Sequence, residues 1–212
     1  LIRRVILAIL FIIPMIPTST VMSSYYVGNQ YVSAYGGKVN IYTPPYPINV
    51  FHYGQSNWIS LPLPYWIQTG WRYYSGYQFP EKYVEYYSPV SNYEIYPQGN
   101  QNWGATIEYK IINVGNEVWC AYINNLGIGC RDIVYAPSAL QTMSEVHNDP
   151  LIELHTQFEE ASYRDSSGSW HLFNQVNWTE QFPYSLVIES ESTFLTYRID
   201  TWQQYLPLIL MN

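Results

Sequence analysis

The feature that most constrains this chain is a run of short β-rich segments, each cut off by Pro, Gly, Asn or Ser. "YVSAYGG", "KVNIYT", "NWISL", "YWIQTGWRYY", "YVEYYS", "ATIEYKIIN", "EVWCAYIN", "LIELHTQFEEASY", "HLFNQVNW", "SLVIES" and "TFLTYRI" follow one another with no long helical pattern between them. β-Branched and aromatic side chains pack well on a pleated surface, so this spacing predicts an all-β fold, an antiparallel sandwich or barrel. "APSALQTMSEVHND", residues 136–149, is expected to supply at most a short turn of helix, and the Pro-rich "TPPYPINVFHYGQ", residues 43–55, a surface loop. No repeat, low-complexity linker or charge block divides the chain. Residues 25–212 are therefore expected to form one domain, large enough to bury a core.

Strand parity then sorts the side chains. In "YWIQTGWRYY", Trp66, Gln68, Gly70 and Arg72 share one face, and Ile67, Thr69 and Trp71 share the other. The second face is the more apolar and is expected in the core, which leaves Gln68 facing solvent or a cleft. In "EKYVEYYSP", Tyr83, Glu85 and Tyr87 share a face, two tyrosines around a carboxylate, as in the floor of a binding site. Gln68 and Glu85 are thus expected on one sheet surface. Parity alone leaves open whether that glutamine meets a ligand or only water.

Composition limits the partners. Aromatic residues make up 18% of the chain and charged residues only 12%, against about 25% charged in ordinary soluble domains. Such a surface is wetted largely by Tyr, Ser, Thr, Asn and Gln and loses little when carboxylates protonate. That suits an acidic medium, with compositional drift in an exported protein as the alternative. The net charge is −7, and no basic patch is present that could track a phosphate backbone, which argues against nucleic acid.

Residues 1–24 open with two arginines, an apolar run and then small polar residues, the layout of a secretory signal peptide. The alternative is an uncleaved hydrophobic anchor, the one route by which this chain is expected to meet a membrane. Export fits a cross-strand disulfide between Cys120 and Cys130 around the turn-forming "AYINNLGIG", free thiols being the alternative. Asn177-Trp178-Thr179 is an N-glycosylation sequon. His147 and His155, with Asp149 and Glu153 between them, match no strong ligand spacing, so no metal and no cofactor is predicted. The C-terminal "YLPLILMN" is apolar but too short to span a bilayer.

Order and spacing add a resemblance. "YVSAYGGKVNIYTPPYP", "NWISLPLPYWIQTGWRYYSG", "YVEYYSP", "YEIYPQGNQNWGATIEYKIINVGNEVW" and "FEEASYRDSSGSWHLFNQVNW" together resemble the motif succession of the eqolisin-type glutamic peptidases, over roughly residues 25–180. The resemblance implies a secreted, acid-active endopeptidase with a concanavalin- or lectin-like sandwich of two curved antiparallel sheets, a jelly roll. "IQTG" places the family's catalytic glutamine on Gln68, "YVEYYSP" places the glutamate of its aromatic strand on Glu85, and "YPQGN" stands at its glycine turn. "FNQVNW" resembles its last strand, with Asn174 in place of Gly. "HTQFEEAS" aligns with the family's glutamate strand, where the catalytic position falls on Thr156 and the later glutamate on Glu160.

The candidate catalytic residues are therefore Gln68, Glu85 and Glu160, with Trp66, Arg72, Tyr83, Tyr87 and Thr156 as substrate contacts. A carboxylate would take a proton from water as it attacks the peptide carbonyl, and the glutamine amide would stabilise the oxyanion. Thr156 cannot replace a carboxylate as base. Two kinds of function follow: a monomeric endopeptidase acting on polypeptide, or a non-catalytic relative, either a cell-envelope protein or a module that binds peptide or glycan. For glycan, the aromatic group Trp71, Tyr73, Tyr74 and Tyr77 is the expected platform.

Overall fold

Alternation along the strands decides how they stack. The computed structural model describes residues 24–45, 54–61, 64–74, 76–88, 92–133, 137–147 and 154–199. The expected leader lies outside the described residues except for Ser24, and so do most of the 43–55 loop and the apolar C-terminal tail.

Fifteen strands are described: β1 (Ser24–Ala34), β2 (Gly36–Tyr42), β3 (Gly54–Ser60), β4 (Trp66–Tyr74), β5 (Glu81–Tyr87), β6 (Glu94–Asn100), β7 (Thr106–Gly115), β8 (Val118–Ile123), β9 (Leu126–Asp132), β10 (Ser138–His147), β11 (His155–Arg164), β12 (Trp170–Leu172), β13 (Val176–Thr179), β14 (Tyr184–Ser190) and β15 (Thr193–Arg198). They form two antiparallel sheets. One runs β13-β1-β10-β3-β4-β5-β6, and the other runs β14-β15-β11-β2-β7-β8-β9 with β12 added on β11. The all-β sandwich predicted from strand spacing is the fold of the chain.

The core lies between the sheets. β4 contributes Ile67 and Trp71, β2 Val39 and Ile41, β7 Tyr109 and Ile111, β8 Trp119, β10 Leu140 and β11 Phe158, all buried. In β4 the face carrying Ile67, Thr69 and Trp71 is fully sequestered, as its parity predicted. A polar stitch crosses the interior where the Ser144 and Thr196 hydroxyls meet at 2.8 Å, and Thr196 donates on to the Thr156 carbonyl at 3.1 Å. The β8–β9 hairpin turns on Asn124 and Asn125, with φ of 47° and 63°, the left-handed pair a two-residue hairpin needs. It sets Cys120 opposite Cys130, which are joined in a disulfide.

One segment departs from expectation. Residues 138–147, expected to hold a turn of helix, form β10, a central strand between β1 and β3. Ala, Leu, Gln, Met and Glu are good helix formers, but Leu140, Thr142, Ser144 and Val146 all point into the core with a period of two. Packing between the sheets overrides local propensity here.

Candidate functional site

The outward face of the first sheet carries the site. Register aligns its side chains in rows across the strands. One row is Gln30, Gln141, Ser60, Gln68 and Glu85; another is Tyr26, Glu145, Ser56, Arg72 and Glu81. Between them lie Gly28, Met143, Trp58, Gly70 and Tyr83. Over these rows opens a cavity of about 620 Å³, lined by Trp58, Trp66, Gln68, Arg72, Tyr83 and Glu85 among others, with Tyr93 and Glu145 on its walls.

Gln68 and Glu85 are direct register partners on β4 and β5, so their side chains leave the sheet about 5 Å apart. Gln68 is 9% exposed, and its Nε2 donates to the Tyr83 hydroxyl at 2.6 Å. The Tyr83 ring is buried, which holds that hydroxyl in its protonated form well above the usual tyrosine range. The Tyr83 main-chain carbonyl accepts from Thr69 Oγ1 at 3.0 Å, pinning β4 to β5 from the core side.

Glu85 is the most perturbed carboxyl of the cleft. Burial pushes it up to about 7, and the charge of Glu145 adds to the rise. Hydrogen bonds from Trp66 and Tyr93, together with the Arg72 charge, pull in the opposite direction but do not cancel the burial effect. Trp66 Nε1 reaches Glu85 Oε1 at 3.1 Å. A carboxyl that titrates near neutrality can both accept and return a proton, and it sits beside an amide able to donate.

Arg72 also lines the cavity, with its guanidinium turned to Glu81, Nε at 2.9 Å and Nη2 at 2.6 Å. At the other end Glu145 accepts from the Tyr26 hydroxyl at 3.0 Å and from Trp58 Nε1 at 3.3 Å. His147 Nδ1 stands 3.6 Å from it.

The structure thus brings together Gln68, Glu85, Trp66, Arg72 and Tyr83. Tyr87 shares their parity but packs behind Trp66, ring centroids 4.9 Å apart, and does not line the cavity. Two expectations fail. Thr156 and Glu160 lie on β11, in the opposite sheet. Thr156 is 0% exposed, inside the sandwich, and no ligand in the cleft can touch it. Glu160 occupies a bulge between Glu159 and Ser162, has φ of +53°, and points to solvent, where its carboxylate accepts from Asn40 at 3.2 Å.

The proposed aromatic platform fails in part as well. Trp71 and Tyr73 are core residues, Tyr74 lines the cleft, and Tyr77 is exposed. Of the two histidines, His147 ends β10 at the cleft and His155 opens β11, while Asp149 and Glu153 lie outside the described residues. Asn177 is exposed on the edge strand β13.

Sequence reasoning missed the β10 contribution, Gln141, Met143, Glu145 and His147, and also Tyr26, Trp58 and Tyr93. The signal was present in "LQTMSEVH", where Gln141, Glu145 and His147 share one strand parity and Leu140, Thr142, Ser144 and Val146 the other. Expecting helix there concealed it.

With the geometry in place, the comparisons give a consistent fold. The sequence matches no protein-family model and no curated protein. Among solved structures, the chain is similar to scytalido-glutamic peptidase with a transition-state analogue inhibitor, at a TM-score of 0.64 and 11% identity, covering 84% of this chain and 99% of that one. It is likewise similar to SCP-B, a member of the eqolisin family of peptidases in complex with the tripeptide Ala-Ile-His, at 0.58 and 12% with the same coverage. At these identities the likeness is one of fold. It embraces nearly the whole of those chains, so the sandwich is shared in full rather than in part.

Proposed function

We propose that the cleft binds an extended polypeptide and hydrolyses one of its peptide bonds, with Glu85 as proton acceptor and donor and Gln68 as oxyanion donor. The observation that carries this is the register pairing of Gln68 with Glu85 inside one cavity. In the first step the Glu85 carboxylate takes a proton from water, whose oxygen attacks the carbonyl carbon. The oxyanion that forms accepts from a Gln68 Nε2 hydrogen. The Glu85 carboxyl then gives its proton to the departing amine as the C–N bond breaks. A carboxyl poised near 7 suits both halves of that cycle. The fold shared with two glutamic peptidases, one of them bound to a tripeptide, supports polypeptide as the ligand. We place the protein, a monomer, outside the cell, in keeping with its disulfide.

A second reading, peptide binding without catalysis, is favoured by the Gln68 amide itself. Its Nε2 already donates to Tyr83, and little of its side chain is exposed. Incubation with denatured casein, followed by mass spectrometry of the products, separates the two. The catalytic reading expects cleavage by the wild type, and a loss of about 10²–10³-fold in both Gln68→Ala and Glu85→Gln. An intact substrate, or cleavage indifferent to both substitutions, rejects it.

A further inference from the structure

We propose that Arg131, on the sheet opposite the cleft, is a positioning residue for Glu85. Its guanidinium clamps the start of β6 and so holds the Tyr93 hydroxyl on the Glu85 carboxylate; the role rests on the reading above, in which Glu85 is the reacting carboxyl.

Two edge strands meet at this clamp. β6 ends the first sheet and β9 ends the second, and Arg131 joins them on one side of the sandwich. β6 is held by β5, in a ladder that includes Pro97, which has no N–H to give, and whose last pair is Tyr86 with Glu94. Tyr93 lies one residue beyond it. Successive residues of an extended chain project to opposite faces. Tyr93 and Ile95 accordingly turn to the cleft: Tyr93 lines it and hydrogen-bonds to Glu85, and Ile95 packs against the Trp58, Tyr83 and Met143 cluster of its floor. Glu94 and Tyr96 turn the other way, to Arg131.

Arg131 grips both of them. Its Nε and Nη2 donate to Glu94 Oε2 at 2.9 and 2.6 Å, Nη2 donates to the Tyr96 hydroxyl at 2.8 Å, and that hydroxyl donates on to Glu94 Oε2 at 2.8 Å. The guanidinium also lies 4.8 Å from the centre of the Tyr86 ring. With 30% and 31% of the two side chains exposed, a single contact between the charges would be weak, but the fork, the shared hydroxyl and the ring fix one geometry. The anchor itself is firm. Arg131 Nη1 donates to the Cys130 carbonyl at 2.8 Å, and the disulfide ties Cys130 to β8. Glycine at 129 lets β9 lie close to β5, since a Cβ there would stand 3.0 Å from the Tyr86 hydroxyl. The hold on Glu94 passes through one peptide unit to Tyr93, which would otherwise hang from the end of an edge strand, where strands open most readily.

The test reads the ionisation of Glu85 rather than cleavage. Tyr93 donates to the carboxylate, so its loss favours the protonated form and Glu85 should ionise at higher pH. The signal is the Glu85 carboxyl carbon in protein made with isotope-labelled glutamate, followed by NMR against pH and assigned with Glu85→Gln. Tyr93→Phe should raise the titration midpoint by about half a pH unit or more, and Arg131→Ala should raise it comparably. Glu94→Ala is the decisive case. Deleting a negative charge would by charge alone lower the midpoint, whereas loss of the clamp raises it. In the Tyr93→Phe background, neither substitution should add a comparable rise. Trp66, Arg72 and Glu145, which also act on Glu85, are left in place throughout. Circular dichroism verifies each fold; if Arg131→Ala does not fold, Arg131→Lys, which retains the charge but not the fork, takes its place. An unchanged midpoint in the Arg131 variant, no rise in Glu94→Ala, or a full rise that persists without the Tyr93 hydroxyl overturns the proposal. Because no bond is broken in this experiment, a wild type that never cleaves casein rejects the catalytic reading while the shifts stand. Absent shifts reject the positioning role and leave catalysis untouched.

Discussion

β4 and β11 are two of the three strands on which the sequence places candidate catalytic residues, and they meet opposite fates. On β4, Gln68 faces the cavity, opposed by Glu85. On β11, Thr156 is sealed in the core and Glu160 is thrown outward by a bulge. On β4 the parity expected from the sequence holds, whereas on β11 Thr156 and Glu160, an even number of residues apart, face opposite ways. Two things intervened. Parity says which side chains share a face but not which sheet a strand joins, and a single bulge cancels the relation beyond it.

The comparison can be broken most decisively by activity. Glu85→Gln and Gln68→Ala should each lower peptide cleavage about 10²–10³-fold, while Glu160→Gln should leave it within about twofold. A reversed pattern would return the chemistry to β11. Next in size is Thr156→Glu, the substitution that would restore a family glutamate if β11 faced the cleft. Here it inserts an unpaired charge into the core, so urea unfolding should show a loss of roughly 3–5 kcal/mol with no gain in cleavage.

Glu85 sharpens the β4 side through linkage. Its carboxyl is raised from 4.5 to about 7 in the folded protein, so between those values the folded state holds more protons than the unfolded one. Stability therefore falls as pH rises through that window, by on the order of 3 kcal/mol. Glu85→Gln should unfold at about the same denaturant concentration as wild type at pH 4 and be distinctly more stable at pH 8. Identical pH profiles would mean that Glu85 is solvated.

The smallest effects lie on β11. Among the described residues the Thr156 hydroxyl oxygen has no hydrogen-bond partner, so Thr156→Val should gain up to about 1 kcal/mol. Glu160→Gly, which relieves a left-handed backbone, should gain about 0.5 kcal/mol in the same unfolding assay.

These outcomes bear on what the residues disclose unaided. The sandwich was legible because Ile67, Thr69 and Trp71 alternate with polar neighbours, and because Pro and Gly punctuate the strands. Half of the cleft was legible for the same reason, since Gln68 and Glu85 sit on strands of clear periodicity. The other half was hidden in β10, where Gln141, Met143 and Glu145 are helix-prone types held extended by the strands on either side. No local pattern tells which strands β10 will lie between, and Glu145 enters the cleft through pairings with Tyr26 and Ser56, residues about 90 to 120 positions away in sequence.

The pH dependence of kcat/KM for cleavage of a peptide substrate, measured on wild type and Glu85→Gln, tests the central claim most directly. If Glu85 is the base that works beside Gln68, the wild-type rate rises through about pH 7, where that carboxyl ionises, and the limb disappears in the variant. A rate that peaks well below pH 5 and is the same in both proteins would contradict it.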